Sequence, residues 1–495
     1  MHTRISQSHD WIALLALMLL ALGSVAFSLP HSPFWADEAY TVLAVRTASL
    51  DELLKTNLLN EETPPLYFML LRGWSQLWGN SAEITLRLFS ALAFAATVPL
   101  TGWLGMRLWN RQVGLMAALL LACNPFLRYY SQEARAYALA VLFSLLLMLA
   151  AQAYVQQPGR GRWLTYVLAG TATFYTSYFG AFMLVGAGLF CSLPWLRPAW
   201  QAEPGARRML IGVVAAQLAI VLLLLPWVPA VLFQMEAMST MRVPNERSPL
   251  LQYLLGLLVL GVAFPDGSIT SLLLLSSISV ILPPAFAAVM LRGKPEQCRF
   301  GLTQLLLPSL GMVLIFSGDG QFNPRYLLLT LPAYMLLIAA GLQILARQPR
   351  LAWILTISLA LCSLAYSLSM APSMHRQNDW FGLAQQVTAE ARPGDAVFFL
   401  PPWAQAPFDI QYQGPALPYY GADSFVEYYY FGRRPFLSAY EETALQEHLA
   451  ADRRAWIAWD RQYATLPDLI AEHSFTRYDY GSTTLLLIEP PAATP

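Results

Sequence analysis

Residues 11–29 read WIALLALMLLALGSVAFSL, and just beyond them, at 34–41, the chain reads FWADEAYT. The first stretch carries no charge and matches the ~20 apolar residues a helix needs to cross a bilayer. The Asp-Glu pair that follows is costly so close to a membrane unless something uses it. Outward from this point the same apolar length recurs, at 84–106, 112–127, 134–154, 163–176, 179–195, 209–233, 269–291, 302–317, 326–346 and 351–370. With 11–29 these make eleven spans, three of them short, and predict a polytopic α-helical membrane protein of about 11–13 transmembrane helices. A cleavable signal peptide over 1–29, with Arg4 before the apolar run and Ser24-Val25-Ala26 as its end, is the competing reading of the first span.

Composition agrees with the spans. Charged residues make up 12% of the 495 and hydrophobic residues 56%, whereas soluble domains are about a quarter charged. Net charge is zero, and Lys55 and Lys294 are the only lysines, so no basic footprint for nucleic acid is present. The four cysteines lie in or beside apolar runs without a CxxC pair, as small buried hydrophobes do. Nucleotide-binding, zinc-peptidase and hydrolase motifs are absent. An N-terminus placed inside puts Arg107 and Arg111, Arg160 and Arg162, Arg207 and Arg208, and Arg347 and Arg350 in short breaks on the cytoplasmic side, as the positive-inside rule requires. Keeping Arg292 to Arg299 inside then makes 250–264 an interfacial or re-entrant helix on the outer side.

Two regions lie outside the membrane in this topology. The first outer loop, 30–83, shows helical apolar spacing at 50–59 and 66–78, with Trp74 and Trp78 near one end, so juxtamembrane helices are expected. After 370 apolar runs shorten. The expectation is a transmembrane domain at 1–370 and an extracytoplasmic α/β domain at 371–495, with strands at 396–400, 455–459 and 484–488 and helices at 380–391, 404–412 and 441–452.

Three polar clusters fall on the outer face. The first is FWADEAYT, where Asp37 reads as an N-cap for a helix starting at Glu38, as an aimed carboxylate, or as both, since a capped helix can still aim a carboxylate. The second, YYSQEARAY at 129–137, is either an interfacial aromatic belt with a Glu133–Arg135 pair or a charged site entering a span. The third, GDGQFNPRY at 318–326, carries Arg325 at a helix mouth, as a snorkelling cation or as a planar fork for phosphate. A lesser feature, EETPPLY at 61–67, reads as a helix start. Carboxylates and Arg gathered on one face suit an anionic, lipid-borne substrate such as a polyprenyl-phosphate sugar.

The ordered set ADEAYT, PPLYFMLLRGW, RLFSALAF, SQEARAYAL and NPRYLLLTLPAY resembles the GT-C glycosyltransferases, and within them glycosyltransferase family 39, which includes protein O-mannosyltransferases and aminoarabinose lipid A transferases. The resemblance covers about residues 10–370. It implies an inverting transfer from a polyprenyl-phosphate-linked sugar to a lipid, glycan or protein acceptor at the outer face of the plasma (inner) membrane. By the same resemblance Asp37 is the general base, Glu38 supports it, Arg135 and Arg325 hold phosphate or order the site, Glu133 orients Arg135, and Tyr326 and Tyr67 join the donor-binding set. Where family members often carry His before the paired prolines, this chain has Thr63. No cofactor is expected and, without a DxD, no divalent metal. The reading from another class is a transporter or flippase for a lipid-linked or anionic substrate.

Overall fold

The computed structural model describes all residues except 1, 27–28, 30–33, 35, 62, 80–81, 202, 204, 240–248, 263–268, 317–322, 371–378, 422–438, 462–465 and 490–495. The first apolar stretch lies in α1 (His2–Ala26), which packs on later helices through buried Leu14, Ala21 and Val25. The outer loop folds into three helices. In α2 (Ala36–Arg46) Asp37 and Glu38 occupy the first turn and Arg46 the last, each favoured by the helix dipole. The helix starts before Asp37, so the N-cap reading of that residue does not hold. Ser49 caps α3 (Leu50–Asn60) by accepting from the Glu52 N–H, and α4 (Leu66–Trp78) follows Pro65 and ends at Gly79, whose φ of 67° suits the left-handed cap.

The bundle continues with α5 (Glu83–Leu108), α6 (Arg111–Ala122), the short α7 (Pro125–Tyr130), α8 (Tyr137–Gln156), α9 (Arg160–Thr176) and α10 (Gly180–Trp200). After these come α11 (Ala206–Leu224), extended by α12 (Val228–Ser239), then α13 (Pro249–Val262) and α14 (Ile269–Arg292). A π-turn joins α15 (Pro295–Gly301) to α16 (Leu307–Phe316), and a 3-10 turn at Pro324–Thr330 leads into α17 (Leu331–Ala346), followed by α18 (Pro349–Met370). Among the described residues eight spans are long and apolar enough to cross a membrane, and the apolar part of α1 together with α6 forms two shorter ones. The 17-residue α9 packs on α8 and α11. Of the stretch at 250–264, residues 250–262 are helical and 263–264 lie outside the described residues; the Leu260 carbonyl accepts from Asn124 at the start of α7.

Every backbone polar group in hydrocarbon must be satisfied internally, which helices do. What holds helices together there is close packing of small residues. A side chain at Gly114 of α6 would collide with the Gly102 carbonyl of α5, and one at Gly341 of α17 with the backbone of Ala285 in α14. Gly341 lets α17 approach α14 closely, and the span that contains α17 is buried on nearly all sides.

The C-terminal region has its own cores. It comprises α19 (Trp380–Glu390), β1 (Ala396–Leu400), α20 (Gln405–Gln411), β2 (Tyr419–Tyr420), α21 (Ala439–Ala450), β3 (Ala455–Asp460), α22 (Asp468–Ala471), β4 (Phe475–Tyr480) and β5 (Thr483–Ile488). The sheet order is β2-β1-β3-β5-β4, with β1 parallel to both neighbours and β5 antiparallel to β3 and β4. Alternate residues of β1 and β3 enter two cores: Val397, Phe399 and Trp456 meet Trp380 and Leu383 of α19, while Phe398, Leu400 and Ile457 meet Leu445 of α21. Burial on both faces explains why AVFFL is unbroken by polar residues.

Candidate active site

The ends of α2, α4, α5, α7, α8 and the 3-10 turn before α17 meet at one end of the bundle. There Glu38 is fully buried, and its two oxygens take the Arg87 fork, with Nε–Oε1 at 2.8 Å and Nη2–Oε2 at 2.5 Å. The Ala134 N–H donates to Oε1 as well, at 2.8 Å. Bidentate geometry with an additional donor is what a charge pair needs to survive burial. Glu38 is therefore committed to holding α2 against α5 and the 131–136 turn, and it is closed off from any acceptor.

Asp37 is held differently. Its carboxylate is 35% exposed and faces Arg325, itself 25% exposed, with Oδ2 and Nη1 at 3.8 Å. That separation is an ion pair without a short hydrogen bond. The Arg325 guanidinium lies over the rings of Tyr137 and Tyr326, at 5.5 and 5.8 Å from their centroids, and its Nε has no acceptor among the described residues. Tyr326 stacks on Phe179 at 4.1 Å, and Asn323 accepts from the Arg325 N–H to start the turn. Residues 318–322 of the third cluster lie outside the described residues.

Arg135 sits beneath this pair. Its Nη1 donates to Glu61 at 2.6 Å, to the Asp37 carbonyl at 3.0 Å and to Thr41 Oγ1 at 3.2 Å. The expected orienting partner was Glu133, but Glu61 takes that place, because the 131–136 turn sends Arg135 toward α2 and the end of α3. Gln234 of α12 donates to the Glu61 carbonyl at 2.6 Å, tying α12 to the same point. Glu133 is buried with one oxygen lacking a donor among the described residues. Burial first, and then the charges of Glu38 and Asp37, push its carboxyl well above the usual carboxylate range. Tyr67, expected in the donor-binding set, is wholly buried; its hydroxyl pairs with Ser90, which in turn donates to the Arg135 carbonyl. Tyr67 thus braces the site from behind.

The C-terminal region roofs the site. Ala406 and Ile410 of α20 pack on Ala39, Tyr40 and Leu43 of α2. Gln411 donates to Glu83, which also accepts from the Phe34 N–H. Arg87 and Glu61 were not singled out as site residues from the sequence, although Arg87 opens the RLFSALAF motif and Glu61 opens EETPPLY. Among the described residues no group of His, Cys, Asp or Glu side chains is arranged to hold a metal ion.

Helices bundled around a central span, a first loop of juxtamembrane helices bearing an acidic pair, and a C-terminal sheet domain above that pair define the GT-C fold. Two crystal structures of ArnT from Cupriavidus metallidurans share it at 13% identity. The apo form has a TM-score of 0.65 over 97% of this chain and 98% of that one. The form bound to undecaprenyl phosphate has a TM-score of 0.63 over 98% and 99%. The oligosaccharyltransferase AglB from Archaeoglobus fulgidus, in complex with an inhibitory peptide and a dolichol-phosphate, is similar at 12% identity, with a TM-score of 0.50 over 99% of this chain and 75% of that one. No protein-family model and no curated protein matches the chain.

Proposed function

We propose that this protein is a membrane glycosyltransferase that moves a sugar from a polyprenyl-phosphate-linked donor to a lipid, glycan or protein acceptor at the outer face of the plasma membrane, with inversion and without a metal. The observation that carries the reading is the partly exposed Asp37–Arg325 pair, a carboxylate and a cation apposed at 3.8 Å without a short hydrogen bond between them and with the Arg325 Nε lacking an acceptor among the described residues, on a fold shared with proteins solved with undecaprenyl phosphate and dolichol-phosphate.

The chemistry follows from those two groups. Asp37 accepts the proton of an acceptor hydroxyl as its oxygen attacks the anomeric carbon from one side. The bond from that carbon to the phosphate oxygen breaks on the other side, and the charge that collects on the polyprenyl phosphate is met by Arg325, whose spare Nε–H and Nη groups suit a phosphate fork. Arg135 fixes the Asp37 backbone, and Glu61 fixes Arg135. Prepositioned base and cation could supply about 7 to 11 kcal/mol of the barrier.

The test is a transfer assay on purified protein in nanodiscs, with radiolabelled polyprenyl-phosphate sugars, membrane extract as acceptor, chelator controls and Asp37→Asn in parallel. Chelator-insensitive transfer by wild type and none by the variant is the expected result. Label crossing sealed vesicles without being transferred would overturn the proposal in favour of a flippase.

A further inference from the structure

At the far end of the bundle, α8, α9, α10 and α11 line an open pocket of about 570 Å³ whose wall includes Arg160, Trp163, Trp195, Arg208 and Tyr154. Tyr154 lies 17 residues along α8 from Tyr137, which is roughly 26 Å at 1.5 Å per residue. The cavity is therefore nearly a bilayer thickness away from Asp37 and separate from the site described above.

Its chemistry selects an anion. The segments 154–163 and 195–212 that meet here carry Arg160, Arg162, Arg197, Arg207 and Arg208 against a single acid, Glu203. Arg160 and Arg208 are exposed, and neither forms a hydrogen bond or ion pair among the described residues. Both α9 and α11 begin after glycine, Gly159 and Gly205, with no side-chain cap. No side chain of the described residues thus caps their first-turn N–H groups, although the Ala206 N–H donates to the Glu203 carbonyl. The Trp195 indole N–H also lacks an acceptor among the described residues.

A second cavity of about 570 Å³ continues along α11, in the groove between α10 and α11, with apolar walls that include Leu184, Val185, Val214, Leu218 and Val221. From Val213 to Leu224, the part of α11 that lines it, the helix rises roughly 17 Å, about half of the ~30 Å hydrocarbon core. A cationic pocket at the membrane boundary running into an apolar trough one leaflet deep matches an amphiphile and not a free anion. Trp163 and Trp195 lie where interfacial indoles are favoured.

We infer that this end of the protein holds an anionic phospholipid, its headgroup between Arg160 and Arg208 and an acyl chain along the α10–α11 groove. The headgroup lies at the opposite face from Asp37, so this lipid is distinct from the donor.

The experiment is native mass spectrometry of the full chain in detergent, titrated with phosphatidylglycerol, phosphatidylcholine, inorganic phosphate and undecaprenyl phosphate. Phosphatidylglycerol should be retained on the order of tenfold more tightly than phosphatidylcholine, because each surface cation favours anionic lipid. The double variant Arg160→Gln, Arg208→Gln should lose that preference. Arg162→Gln should keep it, since Arg162 donates to Gln157 and does not line the cavity. Both arginines are exposed, so the variants fold, and Val214→Trp in the groove gives an independent check by weakening retention of phosphatidylglycerol with both arginines intact. Equal retention of the two phospholipids, or unchanged preference in the double variant, overturns the inference. So does displacement by inorganic phosphate, which would make the pocket a site for a free anion, or one-for-one displacement by undecaprenyl phosphate, which would give the groove to the donor.

Discussion

The two sides of α2 treat neighbouring carboxylates in opposite ways. On the inner side Glu38 is buried and takes three donors at 2.8 Å or less from Arg87 and Ala134. On the outer side Asp37 stands 35% exposed, 3.8 Å from a cation that has a spare N–H. Residue type and distance from the membrane are nearly the same for both. The difference is completeness: a carboxylate whose acceptor capacity is filled by the protein can only hold the fold together, whereas one left partly unfilled can take a proton from something else.

The largest effect that would break this contrast is catalytic. Asp37→Asn should lower transfer by about 10²- to 10⁴-fold while donor binding and thermal stability stay near wild type; turnover close to wild type would move the base elsewhere. Next, Arg87→Met should leave Glu38 buried without its partner and cost about 3–5 kcal/mol of stability. The check is a thermal melt in detergent, and a melting temperature equal to that of wild type would mean that the inner side is not the anchor described here. Third, Arg325→Lys retains the charge but loses the planar fork. It should raise the apparent KM for the donor about tenfold, an effect of roughly 1.4 kcal/mol, with melting temperature unchanged; unaltered KM would remove Arg325 from the phosphate site.

The smallest effect sharpens the contrast through pH. Glu133 has its carboxyl raised in the folded protein by burial and by Glu38 and Asp37, so the folded state holds that proton at pH values where the unfolded chain has released it. Stability should therefore fall as pH rises above the ordinary carboxylate value, and the loss should be absent below it. Glu133→Gln keeps the shape of the neutral acid and should flatten this slope in melts taken from pH 4 to 8. An identical slope in the variant would assign the dependence to another group.

How far the sequence reaches can be judged on the same residues. Apolar length alone locates the spans, because 20 residues without charge have few other uses, and the polar clusters at 37, 135 and 325 converge as their shared membrane face requires. Pairing is another matter. Glu133 and Arg135 look like partners because they are neighbours in the chain, yet the turn between α7 and α8 parts them, and the acid that holds Arg135 is Glu61, far away at the end of α3. Arg87 likewise looks like one polar residue in an apolar helix, and nothing in RLFSALAF indicates that it reaches Glu38. In the sheet, β1, β3 and β5 are legible because both faces are covered. The edge strand β4, FTRYDY, is exposed along most of its length and so lacks the apolar pattern that marks a strand, while β2 spans only two residues.

The Asp37–Arg325 pair joins residues that leave the ribosome far apart in time. Roughly 290 residues separate them, and at about 5–20 residues per second Asp37 waits roughly 15 to 60 seconds before Arg325 has been made, and longer before α20 arrives to cover α2. Through that interval the growing chain already carries its acid in the membrane but has no cation opposite it. On the proposed roles of the two residues, a chain halted anywhere before residue 325 holds the base without its phosphate cation, and the order of synthesis thereby keeps unfinished molecules out of the proposed reaction.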